Sequence, residues 1–263
     1  MWRTSISRPA ASPDAPSPAE RRPIERILAR DRLIVLVSLL AVAGLSWLWL
    51  LRAPMRHATD VWTAAYLVPA FLMWALMMVA MMLPSAAPMI LLHARINRGT
   101  HAQRTRDTCL FVACYLLVWV SFSIAAAFAQ ATMIDEGLLT SGNLVVDDKY
   151  FAGGLLLAAG LWQLTRAKAA CLEQCQSPLQ FVLRYWKPGP TGALRLGVRH
   201  GLFCLGCCWS LMLIIFVGGV MNLAWIAGLA VVVFIEKIAP PLWRVDRWLA
   251  GLLISAALAT VLI

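Results

Sequence analysis

The stretch His200-Gly-Leu-Phe-Cys-Leu-Gly-Cys-Cys-Trp-Ser-Leu-Met212 opens a long apolar run that continues to Met221. If the run is a helix of 3.6 residues per turn, five soft-ligand side chains fall on one side of it, at offsets of three and four. They are His200, Cys204, Cys207, Cys208 and Met212. Thiolate, thioether and imidazole groups suit Cu(I) or Zn(II) better than hard, oxygen-seeking cations. The pattern predicts a soft-metal site, and the alternative is that these cysteines are small apolar residues buried between helices.

The composition indicates a membrane protein with several spans. Hydrophobic residues make up 61% of the chain, charged residues make up 14%, and the mean hydropathy is +0.74. Such values arise from repeated apolar runs of about 20 residues and exclude an ordinary soluble domain. The net charge of +10 then indicates basic cytoplasmic loops and not nucleic-acid binding. Seven clustered cysteines, an odd number, argue against a disulfide framework.

The apolar runs predict an all-α bundle of about seven transmembrane helices, which occupies residues 31–263. Residues 1–30 are rich in proline and arginine and are expected to form a disordered cytoplasmic tail. Each run is long enough, or nearly so, to cross about 30 Å of hydrocarbon as a helix. The predicted spans lie near 33–51, 62–92, 109–129, 150–168, 202–221, 223–237 and 245–263.

The distribution of basic residues predicts the orientation of the bundle. The tail with Arg32 at its end, together with alternate loops at 93–108, 166–201 and 236–247, holds 20 of the 23 lysines and arginines. Basic loops stay in the cytoplasm, so we expect the N-terminus inside and the C-terminus outside. The expected location is the inner membrane of a bacterium.

Two further groups of soft ligands are expected at the cytoplasmic side. Six of the eleven methionines lie within 17 residues of the second run, including Met77, Met78, Met81 and Met82. Methionine also fills gaps in apolar cores, so simple packing is the alternative. Cys171 and Cys175 follow the fourth run at positions i and i+4, and they share a face if the helix persists.

The alternative for this pair is two surface thiols in a reducing compartment. Three clusters on one side of the membrane nevertheless favour a single metal site or relay, because cysteines and methionines used only for packing would not be expected to favour one face.

Other polar residues near this side have more than one interpretation. His200 is either a ligand or a solvated residue beside Arg199, and His93 is a weaker candidate. Glu236 could support the site, but an interfacial pair with Lys237 or a nearby arginine is slightly favoured. No phosphate-binding loop, GxSxG elbow or HExxH pair is present, so no catalytic residues are predicted and the protein is not expected to be an enzyme.

The chain resembles a widespread bacterial family of predicted metal-binding integral membrane proteins. The resemblance lies in MWALMMVAMMLPSAAPM at 73–89, KAACLEQCQSPL at 168–179, and HGLFCLGCCWSLM, GGVMNLAW and FIEK between 200 and 237. It extends over most of residues 33–240 and implies a membrane-embedded helical fold and a metal-binding role.

Together these observations predict a protein that binds Cu(I), with zinc as the alternative metal, for transport or for delivery to a membrane metalloenzyme. Under this hypothesis Cys204, Cys207 and Cys208 are primary ligands, and Cys171 with Cys175 forms an exchange pair. The methionines carry the ion into the membrane, and their weaker binding permits its release. The expected partners are the lipid bilayer and a metalloenzyme or metallochaperone, with no nucleic acid.

Two alternatives come from other functional classes. The cysteines could instead run thiol–disulfide exchange, which would make the protein a membrane redox enzyme. The chain could also be an assembly subunit whose glycine and methionine faces pack against a partner protein.

Overall fold

The computed structural model describes residue 33 and residues 36–50, 60–97, 99–140 and 143–262. The predicted tail at 1–30 lies outside the described residues. The long elements are helical, as the apolar runs predict. In chain order they are α1 Leu36–Leu50, α2 Ala64–Ile96, α3 His101–Asp135, α4 Lys149–Gln163, α5 Arg166–Gln176, α6 Pro178–Tyr185, α7 Pro190–Leu213, α8 Ile215–Gly218, α9 Leu223–Ile238 and α10 Val245–Leu262, with a 3₁₀ turn at Pro241–Trp243.

Four helical segments in the described part of the chain are long and apolar enough to cross a membrane. They are α2, α3, the continuous segment Pro190–Gly218 and α10. The other three predicted spans coincide with shorter helices. α1 runs only from Leu36 to Leu50, and α4 and α9 have 15 and 16 residues. The chain is therefore an all-α protein with several membrane-length helices.

The fourth apolar run ends earlier than the sequence predicts. A span at 150–168 was expected, but α4 ends at Gln163 and a separate helix, α5, begins at Arg166. Thr165 adopts an extended conformation and its hydroxyl accepts from the Lys168 amide, which makes it the N-cap of α5. Cys171 and Cys175 consequently lie on a helix of their own, which packs against α7.

The helices that contain the third and fifth predicted spans, α3 and α7, begin earlier than predicted. α3 starts at His101, where Thr100 and Gln103 form a capping box that extends the helix into the polar loop. α7 starts at Pro190, a residue suited to the first turn of a helix, so His200 lies within a helix and not in a loop. This places all five soft-ligand residues from His200 to Met212 on one continuous helix.

Close contact between α3 and α7 depends on two glycines of α7. A Cβ added to Gly197 would lie 2.4 Å from the Phe111 carbonyl oxygen, and one on Gly201 would lie 3.2 Å from that of Tyr115. Only glycine permits two helix backbones to approach this closely. The contact brings the Tyr115 side of α3 against the cysteines of α7.

Candidate metal centre

The three cysteines of α7 lie in the protein interior. Cys204, Cys207 and Cys208 are all buried, as expected for side chains on the inward face of a central helix. The Cys207 and Cys208 sulfurs are 3.1 Å apart, and the Cys207 thiol donates to the Cys204 carbonyl oxygen at 3.1 Å. The local geometry therefore concentrates three soft donors within little more than one helical turn.

A fourth thiol reaches this group from α5. The side chain of Cys175 lies beside those of Cys204 and Cys207, and the Cys204 thiol also lies beside that of Cys208. We call Cys175, Cys204, Cys207 and Cys208 the thiol cluster. It joins two different helices, so it forms only when α5 packs on α7.

A lysine ammonium lies against the thiol cluster. Lys237 on α9 is only 6% exposed, and its Nζ atom is 2.9 Å from the Cys204 sulfur and 2.9 Å from the Ser85 hydroxyl oxygen. The Met82 sulfur is 3.8 Å from the same nitrogen. These contacts bring α2, α7 and α9 together around one positive charge.

Glu236 is paired with a different residue from those that the sequence suggested. Its Oε1 atom is 2.5 Å from the Lys168 Nζ atom, and both side chains are fully buried. The expected interfacial pair with Lys237 or a nearby arginine is therefore wrong. Adjacent residues of a helix point about 100° apart, so Glu236 faces α5 while Lys237 faces α2 and α7.

The methionines of α2 are all buried, but they differ in their relation to the thiols. Met82 contacts the Lys237 ammonium, whereas Met77, Met78 and Met81 lie in the hydrophobic core. By helical spacing, Met78 lies one turn from Met82 on the same face. Met212 is also buried, one turn beyond Cys208 on α7.

Tyr115 links α3 to the same place. Its hydroxyl donates to the Met82 carbonyl oxygen at 3.1 Å and lies 3.1 Å from the Cys204 sulfur. The Ser85 hydroxyl also donates to the Met82 carbonyl, at 2.9 Å. Pro84 lies between Met82 and Ser85, so both hydroxyls meet α2 in the segment where a proline is expected to bend the helix.

His200 is not the solvated residue that the basic loop suggested. It is 3% exposed and surrounded by the rings of Phe111, Tyr115 and Phe181, with centroid distances of 5.3 to 6.0 Å. Its Nδ1 atom has no hydrogen-bond partner among the described residues. The imidazole is therefore an available donor one helical turn before Cys204.

His93 is buried beside Phe111 and already has a hydrogen-bond partner. Its ring stacks on Phe111 at 4.9 Å, and its Nδ1 atom is 3.2 Å from the Thr108 hydroxyl oxygen. These contacts tie α2 to α3 through the His93 ring.

Cys171 differs from Cys175 although both lie on α5. The Cys171 sulfur lies over Gly206, where an added Cβ would be only 2.7 Å away. Its partial burial raises the pKa of the Cys171 thiol, which favours the protonated form. The structure therefore separates the predicted exchange pair, with Cys175 in the thiol cluster and Cys171 packed against α7.

Comparison with known families identifies the chain. The model of the PpoB2 family, described as a copper chaperone, matches residues 71–260. The chain belongs to the PpoB2 copper chaperone family. No curated protein and no solved structure matches it significantly. Membership confirms the prediction of a copper-handling membrane protein, and it implies a non-catalytic role and copper-delivery partners.

The sulfur ligands of this PpoB2 protein suit Cu(I) by their chemistry, but their spacing is not that of ligands around a bound metal. Among the described residues, no three His, Cys, Asp or Glu side chains already stand in a metal-binding arrangement. Two thiolates at 2.3 Å from a tetrahedral metal would be about 3.8 Å apart, whereas the Cys207 and Cys208 sulfurs are 3.1 Å apart. The two sulfurs are therefore closer together in this structure than they would be around a bound metal.

Several residues at the centre of this PpoB2 protein were not predicted as part of the site. The Cys204 thiol contacts both Lys237 and Tyr115. Ser85 contacts the Lys237 ammonium, and Lys168 forms an ion pair with Glu236. One signal was available, because a lysine at the end of an apolar run is a candidate functional residue. The tyrosine and serine carry no such signal, since both are common in membrane helices.

Proposed function

We propose that the protein binds Cu(I) at the thiol cluster and hands it to a membrane metalloenzyme. The observation that supports this most directly is the contact of four thiols from α5 and α7 with one another, beside the Met82 thioether. Thiolates and thioethers are the ligands that Cu(I) prefers. The family supports delivery over transport, because its description is that of a copper chaperone.

In this proposal Cys204, Cys207 and Cys208 are the primary ligands and Cys175 completes the set from α5. Met82 is the first thioether that the ion meets beyond the thiols, followed one turn further by Met78. Neutral thioethers hold Cu(I) less tightly than thiolates do, so this order permits release. The two remaining methionines, Met77 and Met81, together with Met212 and His200, would serve as further donors on the route.

The test is elemental analysis of protein purified without oxygen in detergent. We expect near-stoichiometric copper in the wild type and almost none after Cys204, Cys207 and Cys208 are all replaced by serine, because a hydroxyl is a poor ligand for Cu(I). Replacement of Cys109 and Cys114, which lie on α3 and outside the cluster, should leave the copper content unchanged.

Retention of full copper occupancy in the triple-serine variant would refute this site. If the wild type stays empty after loading with Cu(I), thiol–disulfide exchange and complex assembly become the better explanations. Binding of zinc in place of copper would identify the other soft metal that the donors admit.

We also propose a topology of seven spans in the inner membrane of a bacterium, with residues 1–30 as a cytoplasmic tail. The shorter helices α1, α4 and α9 would then cross together with the four longer ones. The charge distribution supports a cytoplasmic N-terminus, because 20 of the 23 basic residues fall on one set of loops.

Reporter fusions would test this topology. Alkaline phosphatase, which is active only outside the cytoplasm, should be active when fused after Ile263, and a fluorescent protein that folds only in the cytoplasm should be dark there. Fusions after Lys187 should give the reverse pattern. Cytoplasmic reporters at both positions would rule out an odd number of spans between Lys187 and Ile263, and with it the seven-span topology.

A further inference from the structure

The ammonium of Lys237 occupies a position that resembles a cation-binding site. An ammonium has three N–H donors, and the structure supplies three acceptors, namely the Cys204 sulfur, the Ser85 hydroxyl oxygen and the Met82 sulfur. Two of the three are soft sulfur atoms. The atoms that accept hydrogen bonds from the ammonium thus include the kinds of sulfur ligand that Cu(I) prefers.

The charge of Lys237 is not balanced by a carboxylate. Among the ion pairs of the described residues, none includes Lys237, and the adjacent Glu236 is already paired with Lys168. A buried charge is costly unless a partner compensates for it. The thiol cluster is the group in contact with the ammonium, and a thiolate, the form of cysteine that binds copper, is its natural partner.

We propose that Lys237 is a built-in cation that holds the place of Cu(I) in the copper-free protein. Loading and release then exchange one monovalent cation for another, because the ammonium withdraws when copper arrives and returns when copper leaves. The ammonium leaves the thiols with its charge as copper arrives, so the thiols contact one positive charge before and after the exchange. This inference rests on the proposed copper site and adds a mechanism for release from it.

The exchange has a direct consequence for delivery. An ammonium that competes for the same sulfur atoms weakens net copper binding and stabilises the copper-free state. A chaperone benefits from this, since it must give up an ion that thiols alone would retain. Lys237 therefore acts as a positioning residue that sets how readily copper leaves.

The test is copper release from full-length protein purified in detergent without oxygen. Each variant is loaded with Cu(I), its stoichiometry is measured, and transfer to the colorimetric chelator bathocuproine disulfonate is followed with time. We expect Lys237→Gln to load normally and to release copper about 10- to 100-fold more slowly, the size expected for one charge-assisted hydrogen bond. Lys237→Arg keeps the charge and should restore most of the rate.

Lys187→Gln is the matched control, because it removes an exposed lysine between α6 and α7 without touching the cluster. Its release rate should equal that of the wild type. Release from Lys237→Gln at the wild-type rate would overturn the inference, and so would failure of that variant to bind copper, since the ammonium would then be required for binding and not compete with it.

A second measurement on the wild type does not depend on a folded variant. In a structure of the Cu(I)-loaded protein, the Lys237 ammonium should no longer contact the Cys204 sulfur. An ammonium that remains in place beside bound copper would refute the exchange while leaving the copper site intact. A wild type that binds no copper would instead refute the proposed function.

Discussion

Replacement of Lys168 with methionine is expected to lower the free energy of unfolding by about 3–5 kcal/mol, the usual cost of leaving a buried charge without its partner. Lys168 and Glu236 are both fully buried, and the 2.5 Å contact between them joins α5 to α9. Glu236 Oε2 already has no hydrogen-bond partner among the described residues, so nothing else satisfies the carboxylate. Unfolding of the purified protein in detergent, followed by circular dichroism, measures the loss.

A double replacement separates the pair from the general effect of mutating α5. Lys168→Met together with Glu236→Met removes both charges and keeps similar volumes, so most of the lost stability should return. Lys187→Met, at an exposed position, should have little effect. A double variant less stable than Lys168→Met alone would show that the ion pair does not account for the loss.

The sequence predicts the helical fold because the relevant signals are local. A run of about 20 apolar residues is interpretable without knowledge of its neighbours, and so are the offsets that align Cys204 with Cys208 and Met212. The helix ends were less predictable. The break at Thr165 depends on a single capping hydroxyl, which separates the apolar α4 from the more polar α5.

The partners of Glu236 and Lys237 could not be predicted in the same way. Neighbouring residues on a helix point in different directions, and which helix each one meets depends on how α9 is rotated in the bundle. Proximity in sequence suggested that the two charges pair with each other. In the structure, Glu236 contacts Lys168 of α5 and Lys237 contacts the Cys204 thiol. Only tertiary packing determines these partners.

The CxxxC motif of α5 has the same limitation. Its spacing aligns Cys171 and Cys175 on one face, so sequence alone treats them as equivalent. In the bundle, α5 packs against α7, and the two thiols meet different parts of it. Cys175 reaches Cys204 and Cys207, while Cys171 reaches Gly206.

This difference predicts unequal effects of two matched substitutions on copper binding. Cys175→Ser should weaken Cu(I) affinity on the order of 100-fold, because loss of a direct ligand costs at least as much as loss of a residue that supports one, which is typically 10- to 100-fold. Cys171→Ser should leave the affinity unchanged, since its sulfur lies over Gly206 and outside the thiol cluster. Competition with a Cu(I) chelator under anaerobic conditions measures both.

The two variants make the same chemical change on the same short helix, so each is the control for the other. A general disturbance of α5 would lower affinity in both, whereas loss of a ligand lowers it only in Cys175→Ser. Equal loss would mean that the face of α5 turns during loading and presents both thiols, as the predicted exchange pair requires. No loss in either would confine the copper ligands to α7, and α5 would then serve only to cover the cluster.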